Sequence, residues 1–390
     1  MSRNFLRFAA IVFASICAAK TATSAAPAIT TVGNFPGWDQ TYGIALSGNG
    51  TTVVGVAEDT VNLVGRAARW TAGTGVQDIG PGDASLSSSA NGVSADGSVV
   101  VGSFGNSTAE AFRWTAASGV VAMGFLPGGN FSIASEVNGN GSVIVGQAND
   151  ATTLRAFAWS AATGMQALPI APGFDFTYGA ASVSADGTVI VGTNANQGGV
   201  SSADRAYRYT SAGGYQDLGV QPGFFRSAAS NVSGDGLTVV GLSQSFPGFS
   251  TVIGAFRWTQ STGLVPLFFD DEVSSYANAV NYDGSRIVGV SIGATGSRAV
   301  MWTSTLGSVD LNTYLPTLGV NLSGWNLTGA SGISYDGSVI SGDGTFNGVE
   351  TSWIVSTSSV PEPSALLLTA LGSAALVGTP RRKWARYLQG

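Results

Sequence analysis

The chain has 390 residues, 17 Lys and Arg against 23 Asp and Glu, no His and a single Cys. The last two counts exclude a His- or Cys-ligated metal site, a Ser-His-Asp triad, a Cys-His nucleophile and a disulfide framework. Hydrophobic residues make up 44% of the chain, enough for a real core, so the length reads as one large repeat domain or two ordinary ones rather than a disordered chain.

Residues 1–26 have the order of a secretory signal. Arg3 and Arg7 make a basic start, Phe8 to Ala19 is an uncharged apolar run, and Ser24-Ala25-Ala26 supplies small residues for cleavage, with Cys17-Ala18-Ala19 as an earlier candidate. Ile16, just before Cys17, departs from the small residue that a lipoprotein signal would place there.

From there the chain repeats itself. Ser94 to Gly102 reads SADGSVVVG; related segments run over 47–55, 138–146, 184–192, 233–241, 281–289 and 334–342. The turn glycines Gly50, Gly97, Gly141, Gly187, Gly236, Gly284 and Gly337 are 47, 44, 46, 49, 48 and 53 residues apart. Each copy is followed by an aromatic segment such as Ala111-Phe112-Arg113-Trp114, then by a Gly-led segment such as Gly119-Val120-Val121-Ala122. Trp70, Trp114, Trp159, Tyr209, Trp258, Trp302 and Trp353 take one equivalent position in the repeat, and this layer is expected to dominate the core. An Asp-Gly or Asn-Gly pair between apolar runs is a strong hairpin signal, because both turn positions accept positive φ. Nothing sustains a 3.6-residue period. Four short strands per unit of this length predict an all-β fold, a seven-bladed β-propeller of four-stranded blades. The last unit runs out before its fourth strand, whereas 29–37 (ITTVGNFPG) aligns with 120–128 (VVAMGFLPG). The N-terminal strand is therefore predicted to join the last blade and close the ring, removing both exposed edges. The propeller is assigned to 27–358.

The strand order resembles that of WD-repeat propellers, without their Gly-His and Trp-Asp landmarks. The units resemble more closely the extracellular HAF repeat family: Ala111-Phe112-Arg113-Trp114 matches the middle of that repeat, and Asp78-Ile79-Gly80 and Asp217-Leu218-Gly219 match its close. The family's His is absent, its slot holding Arg66, Glu110, Arg155, Arg205, Gly254 or Arg298. The resemblance implies an extracellular propeller and carries no chemistry with it.

At the other end, Val360-Pro361-Glu362-Pro363-Ser364 precedes the apolar run Ala365 to Thr379 and then Arg381, Arg382, Lys383 and Arg386. Fifteen helical residues reach only about 22 Å, short of a roughly 30 Å hydrocarbon layer. Residues 359–390 resemble the PEP-CTERM sorting tail of Gram-negative bacteria, with Pro361, Glu362, Pro363, Arg381 and Arg382 carrying the motif. The resemblance implies exosortase as a partner, transient insertion of the tail in the inner membrane, and a final place at the cell surface or in the extracellular matrix.

Between these two addresses stand 10 Arg, no Lys and 22 Asp and Glu, a net charge of −12. Such a body repels phosphate backbones and anionic lipid, which argues against nucleic acid as a partner. The Asp of the turns (Asp96, Asp186, Asp235, Asp283, Asp336) could suggest calcium, but Asn49 and Asn140 replace it in two copies, which a hairpin turn tolerates and a hard-cation site does not. No metal and no cofactor are expected. Asp270-Asp271-Glu272 is the densest acidic run; adjacent residues in an extended loop point apart, so it reads as solvated charge rather than a glycosidase pair. Arg66, Arg69, Arg205 and Arg208 are expected to pair with surface carboxylates.

Pro-Gly-aromatic loops recur before the first strand of several units, and they nominate Trp38, Phe131, Phe174, Phe176, Phe224 and Phe225 as ligand-binding residues. These rings either stack on sugars at one rim or pack over the blade tops. The functional expectation is a non-enzymatic binding and structural module, for exopolysaccharide or another surface protein. The other reading is a carbohydrate hydrolase or lyase working from the central cavity.

Overall fold

A computed structural model describes residues 27–36, 38–196, 204–245, 252–268 and 272–357. Residues 1–26 and 359–390, expected to be a signal and a sorting tail, and Asp270-Asp271 lie outside these residues. The fold is built from the turns upward. Gly97 sits at φ +75°, a left-handed conformation that glycine adopts without strain. Asp96 Oδ1 accepts the Ser98 amide at 2.9 Å and the Ser94 hydroxyl at 2.7 Å, and Ser94 Oγ accepts the Val99 amide at 3.0 Å. Asn49 and Asn140 accept the equivalent amides of Thr51 and Ser142 at 3.1 and 3.0 Å. One oxygen does the work in either residue, which is why Asp and Asn alternate here. Among the described residues no group of three or more acidic, His or Cys side chains is placed to hold a metal ion.

These turns join the first two strands of antiparallel meanders. Five separate four-stranded sheets form, together with an eight-stranded one whose two halves, 226–267 and 272–310, share a single parallel bridge from Ile253 to Ser274. The other meanders span 40–78, 88–122, 132–167 and 176–217, and a last one at 325–356 supplies only three strands. Its fourth is the N-terminal strand Ala28–Thr31, antiparallel to Val349–Ser356 with Ile29 opposite Val355 and Thr31 opposite Trp353. The Val32 amide then donates to the Ser352 carbonyl at 2.9 Å, as Ile79 does to Ala67 and Met123 to Ala111 within their own sheets.

Every first strand slips register at one equivalent place, at Ile44, Asn91, Ser135, Ala181, Ser230, Asn278 and Ser331, and three slip a second time nearer their start, at Tyr178, Val273 and Thr328. A bulge of this kind bends the strand and pushes its carbonyls out of line. It also accounts for the glycine that ends every SVVVG-like segment. A Cβ on Gly102 would land on the Ser89 carbonyl oxygen and 2.9 Å from the Phe112 ring; one on Gly342 would land on the Gly329 carbonyl oxygen and 2.6 Å from Trp353. The ring opposite this glycine is the most deeply buried layer: Phe112, Phe157, Tyr207, Phe256 and Trp353 are all fully buried. Each such ring removes roughly 150–250 Å² from water, an upper contribution of about 4–6 kcal/mol.

That pairing corrects the sequence alignment in one place. Trp353 faces Gly342, as Phe112 faces Gly102, whereas Trp114 faces Val100 and Trp302 faces Ile287. Trp353 thus belongs to the phenylalanine layer, and Val355 holds the tryptophan position in the last meander. The tryptophan layer lies nearer the surface, with Trp114 and Trp159 only half-buried.

Core clusters lie in the seams between consecutive meanders. Val99, Val101 and Ala111 of one meet Ala134, Val137 and Phe157 of the next. A buried hydroxyl clips five seams: Ser88, Ser132, Thr177, Ser227 and Ser275 accept the amides of Ala67, Ala111, Ala156, Ala206 and Ala255 at 2.5 to 3.0 Å. The longest repeat spacing, 53 residues, is explained by a helix, Leu311–Thr317, capped by Asp310 and burying Leu311 and Leu315. Seven residues are too few to reveal a helical period in sequence.

Candidate functional site

The first strands of all the meanders face one another around a cavity of about 340 Å³. At its turn end, backbone hydrogen bonds pass from one meander to the next: Asn49 to Ala95, Ala95 to Gly139, Gly139 to Ala185, Ala185 to Gly234, Asp235 to Tyr282, Tyr282 to Tyr335, and Tyr335 back to Gly48, all at 2.8 to 3.1 Å. One position of the turn therefore reads Gly48, Ala95, Gly139, Ala185, Gly234, Tyr282, Tyr335. The small residues make room for the two large ones. A Cβ on Gly48 would sit 2.8 Å from the Tyr335 ring, one on Gly139 would sit 3.3 Å from the Tyr335 hydroxyl, and one on Gly234 would strike Tyr282. Tyr335 thus reaches from the last meander across the axis to the third, and Tyr282 packs edge-on against it at 5.4 Å. Tyr335 lines the turn end of the cavity, and Tyr282 stands behind it, exposed on its other side.

Above this floor the wall is polar and almost uncharged. Asn91 donates its side-chain amide to the Ala134 carbonyl and Asn278 to the Ala330 carbonyl, both at 2.9 Å, so these bulge residues tie neighbouring meanders together. Ser135, Ser182, Ser230 and Asn231 line the cavity with no hydrogen-bond partner for their side chains among the described residues. Glu136 is the single titratable carboxyl of the wall. Its side chain lies over Gly92, where a Cβ would sit 2.7 Å from Oε1, and it accepts the Val137 amide at 2.9 Å. Burial without a cation pushes its carboxyl up to about 7, against the smaller opposing effect of the amides of Val137 and Val93. Tyr335 is pushed up to about 12, by burial first and by Glu136 second.

A second cavity, about 240 Å³, lies between the first and last meanders and is lined by Tyr42, Asp343 and Glu350, among others. Tyr42 donates to Gln40, which donates to Glu350 at 3.2 Å. Burial holds the Asp343 carboxyl above its ordinary value.

The residues nominated from sequence sit on the loops and strand starts at the end opposite the turns. Trp38 is half-buried, edge-on to Phe35 at 5.6 Å and packed over Ala57 and Ala68. Phe131, Phe174, Phe176 and Phe224 are half-buried as well; Phe176 meets Tyr178 edge-on at 5.1 Å, and Phe224 packs beside Gly254. Phe225 alone is strongly exposed, at 63%. Ring contacts stay within each loop, and among the described residues none joins two of these loops. Pro361, Glu362, Pro363, Arg381 and Arg382 lie outside the described residues. Arg66 and Arg205 meet Asp78 and Asp217 at 3.0 and 3.9 Å. Arg69 and Arg208 instead donate to the turn carbonyls of Gly97 and Gly236, and Arg69 stacks over Trp114 at 5.7 Å. That corrects the expectation of carboxylate partners for these two: the next meander's turn brings a carbonyl within reach first.

Glu136, Asn231 and Tyr335 were not singled out from sequence. A signal was present: two tyrosines in a turn position otherwise reserved for Gly and Ala, and Glu136 as the one acidic residue at the bulge of a first strand.

No protein-family model matches the chain, and no curated protein matches it in sequence. Solved structures do. An oligogalacturonate lyase from Vibrio parahaemolyticus matches at 12% identity and TM-score 0.52, covering 86% of this chain and 94% of its own. A prolyl endopeptidase matches at 12% identity and TM-score 0.53, covering 79% of this chain and 46% of its own. TolB from Acinetobacter baumannii matches at 15% identity and TM-score 0.45, covering 66% of this chain and 62% of its own, so the match spans less than two thirds of that protein. At these identities the likeness is one of fold. The chain is an all-β protein of the propeller class, with a polar cavity on the axis of its meanders. Among the described residues no helix is long and apolar enough to cross a membrane.

Proposed function

We propose that this protein is an exported seven-bladed β-propeller of the HAF-repeat kind, closed by its N-terminal strand. In this reading it serves as a binding and structural module for exopolysaccharide at the cell surface or in the extracellular matrix. The tail inserts transiently in the inner membrane and is removed by exosortase. The observation that carries the binding role is the chemistry of the axial cavity: the Asn231 amide and the hydroxyls of Ser135, Ser182 and Ser230, uncommitted among the described residues. Support for the closed ring comes from the pairing of Thr31 with Trp353 and from the backbone circuit that returns to Gly48. The address rests on residues 1–26 and 359–390.

Intact mass of the exported protein tests both cleavages; a product that retains Pro363 and the residues after it ends the exosortase reading. Retention of the exported protein on its producer's polysaccharide tests the ligand class, with Trp38→Ala and Phe174→Ala reporting on the rim. One observation favours the hydrolase or lyase reading, a carboxyl at about 7 in a cavity, since such a group donates a proton near neutrality. Release of new chain ends from that polysaccharide would establish it.

A further inference from the structure

We infer that the axial well takes the uncharged end of a polyhydroxyl chain, admitted end-on and halted at Tyr335, with its hydroxyls on Ser182, Ser230, Asn231 and Glu136. The inference rests on the polysaccharide reading above and specifies the site and the ligand.

Three observations carry it. The first is the floor. Tyr335 crosses the axis at the turn end and Tyr282 backs it, while Gly48, Gly139 and Gly234 leave the space that the two rings fill. A polymer cannot thread a passage stopped in this way, so only a terminus reaches the wall groups.

The second is the state of those groups. Asn91 and Asn278 spend their amides on neighbouring carbonyls and hold the wall in place. Ser135, Ser182, Ser230 and Asn231 keep theirs unspent, and Ser182 is 2% exposed. Buried polar groups normally find partners in the protein, in ordered water or in a ligand. Three hydroxyls and an amide set at two neighbouring strand positions around an axis can both donate to and accept from the vicinal hydroxyls of a sugar.

The third is charge. No Arg or Lys lines the cavity, Glu136 is the wall's one carboxyl, and the body around it carries 10 Arg against 22 acidic residues. A uronate or sulfated chain would meet repulsion with no cation to receive it. A neutral chain meets none. The volume, about 340 Å³, is at the small end of ligand pockets and suits one or two sugar units rather than a long segment.

The test is calorimetry on the full exported protein. The probes are linear gluco-, galacto- and N-acetylglucosamine oligomers, a cyclodextrin as the endless counterpart, and galacturonate oligomers as the charged counterpart. Expected are binding of at least one linear neutral oligomer, binding at least tenfold weaker for the cyclic and charged probes, and a tenfold or greater loss in Asn231→Leu. Trp38→Ala and Phe174→Ala should leave this affinity within twofold. Far-ultraviolet circular dichroism and the unfolding midpoint of each variant separate loss of binding from loss of fold; Ser182→Val serves as a second, smaller change should Asn231→Leu fold poorly. Equal binding of cyclic and linear probes overturns end-on entry. Loss in the rim variants with none in Asn231→Leu and Ser182→Val overturns the well and leaves the polysaccharide reading standing. Binding of no oligomer and no polysaccharide overturns both.

Discussion

Ser352 Oγ accepts the amide hydrogen of Gly43 at 2.8 Å across 309 residues of sequence. The same oxygen lies 2.8 Å from the Thr41 carbonyl and 2.6 Å from Asp343 Oδ1. A hydroxyl has one proton, so it serves one of these two acceptors. With Asp343 protonated both bonds are made: the carboxyl donates to Ser352, and Ser352 donates to Thr41. Burial, which favours the neutral acid, acts in the same direction.

Ser352→Ala is therefore expected to remove the hydroxyl that Gly43, Thr41 and Asp343 share and to cost about 1–3 kcal/mol. Urea unfolding of the protein measures it. A loss below about 0.5 kcal/mol would mean that this seam is held by its apolar contacts alone.

Gly102→Ala drives a methyl into the Ser89 carbonyl and the Phe112 ring, and neither can retreat without moving a strand. The expected cost is about 3 kcal/mol or more. Gly73→Ala, with nothing within 4 Å, is the matched control and should stay within about 0.5 kcal/mol. Thermal unfolding of the pair distinguishes steric exclusion from a general intolerance of substitution.

Trp353→Ala should cost about 3–5 kcal/mol, as for a large ring lost from a closed core, and Trp353→Phe much less. Trp114→Ala, at a half-buried position, should cost less than Trp353→Ala. Equal costs would contradict the two-layer arrangement.

Stability should pass through a maximum at about pH 4–5. Glu136 titrates at about 7 when folded, against 4.5 for the free group. Its neutral form is thus favoured by folding: the contribution is complete below about 4.5 and is lost as pH rises through 7, at most about 3 kcal/mol because the carboxyl borders a cavity. Asp343, also raised, adds in the same sense. Asp96, Asp186 and Asp283 act oppositely, since hydroxyl and amide donors led by Ser94, Ser184 and Ser285 hold them below the usual carboxylate range. Their contribution is complete above about pH 4 and lost in stronger acid. Glu136→Gln should flatten the decline between pH 4.5 and 7 and raise stability at pH 8. An unchanged slope in that variant would remove Glu136 as its source.

Much of the frame was legible because it repeats. Seven copies of an Asp-Gly or Asn-Gly turn locate strands that one copy would leave ambiguous, and 29–33 could be matched to 120–124 because the strand it replaces was missing elsewhere. That match puts Ile29 in the place of Val120, which pairs with Trp114; Ile29 in fact pairs with Val355, two residues beyond the Trp353 that the aligned tryptophans would give it. Trp353 was misplaced by two residues because identity was matched where register decides: only its position opposite Gly342 shows which layer it fills. The Pro-Gly-aromatic loops are legible because they repeat, and the cavity wall is not, because its residues differ from copy to copy.

Sequence alone determined the local chemistry: where the chain turns, which segments are strands, how many copies there are, and what charge the body carries. Those properties depend on neighbours a few residues apart. Tertiary structure decided which residues share the axis. Glu136, Asn231 and Tyr335 come from three different copies, and only the packing of whole meanders brings them to one cavity. The bulges that make every segment-ending glycine obligatory likewise became visible only once two strands were paired.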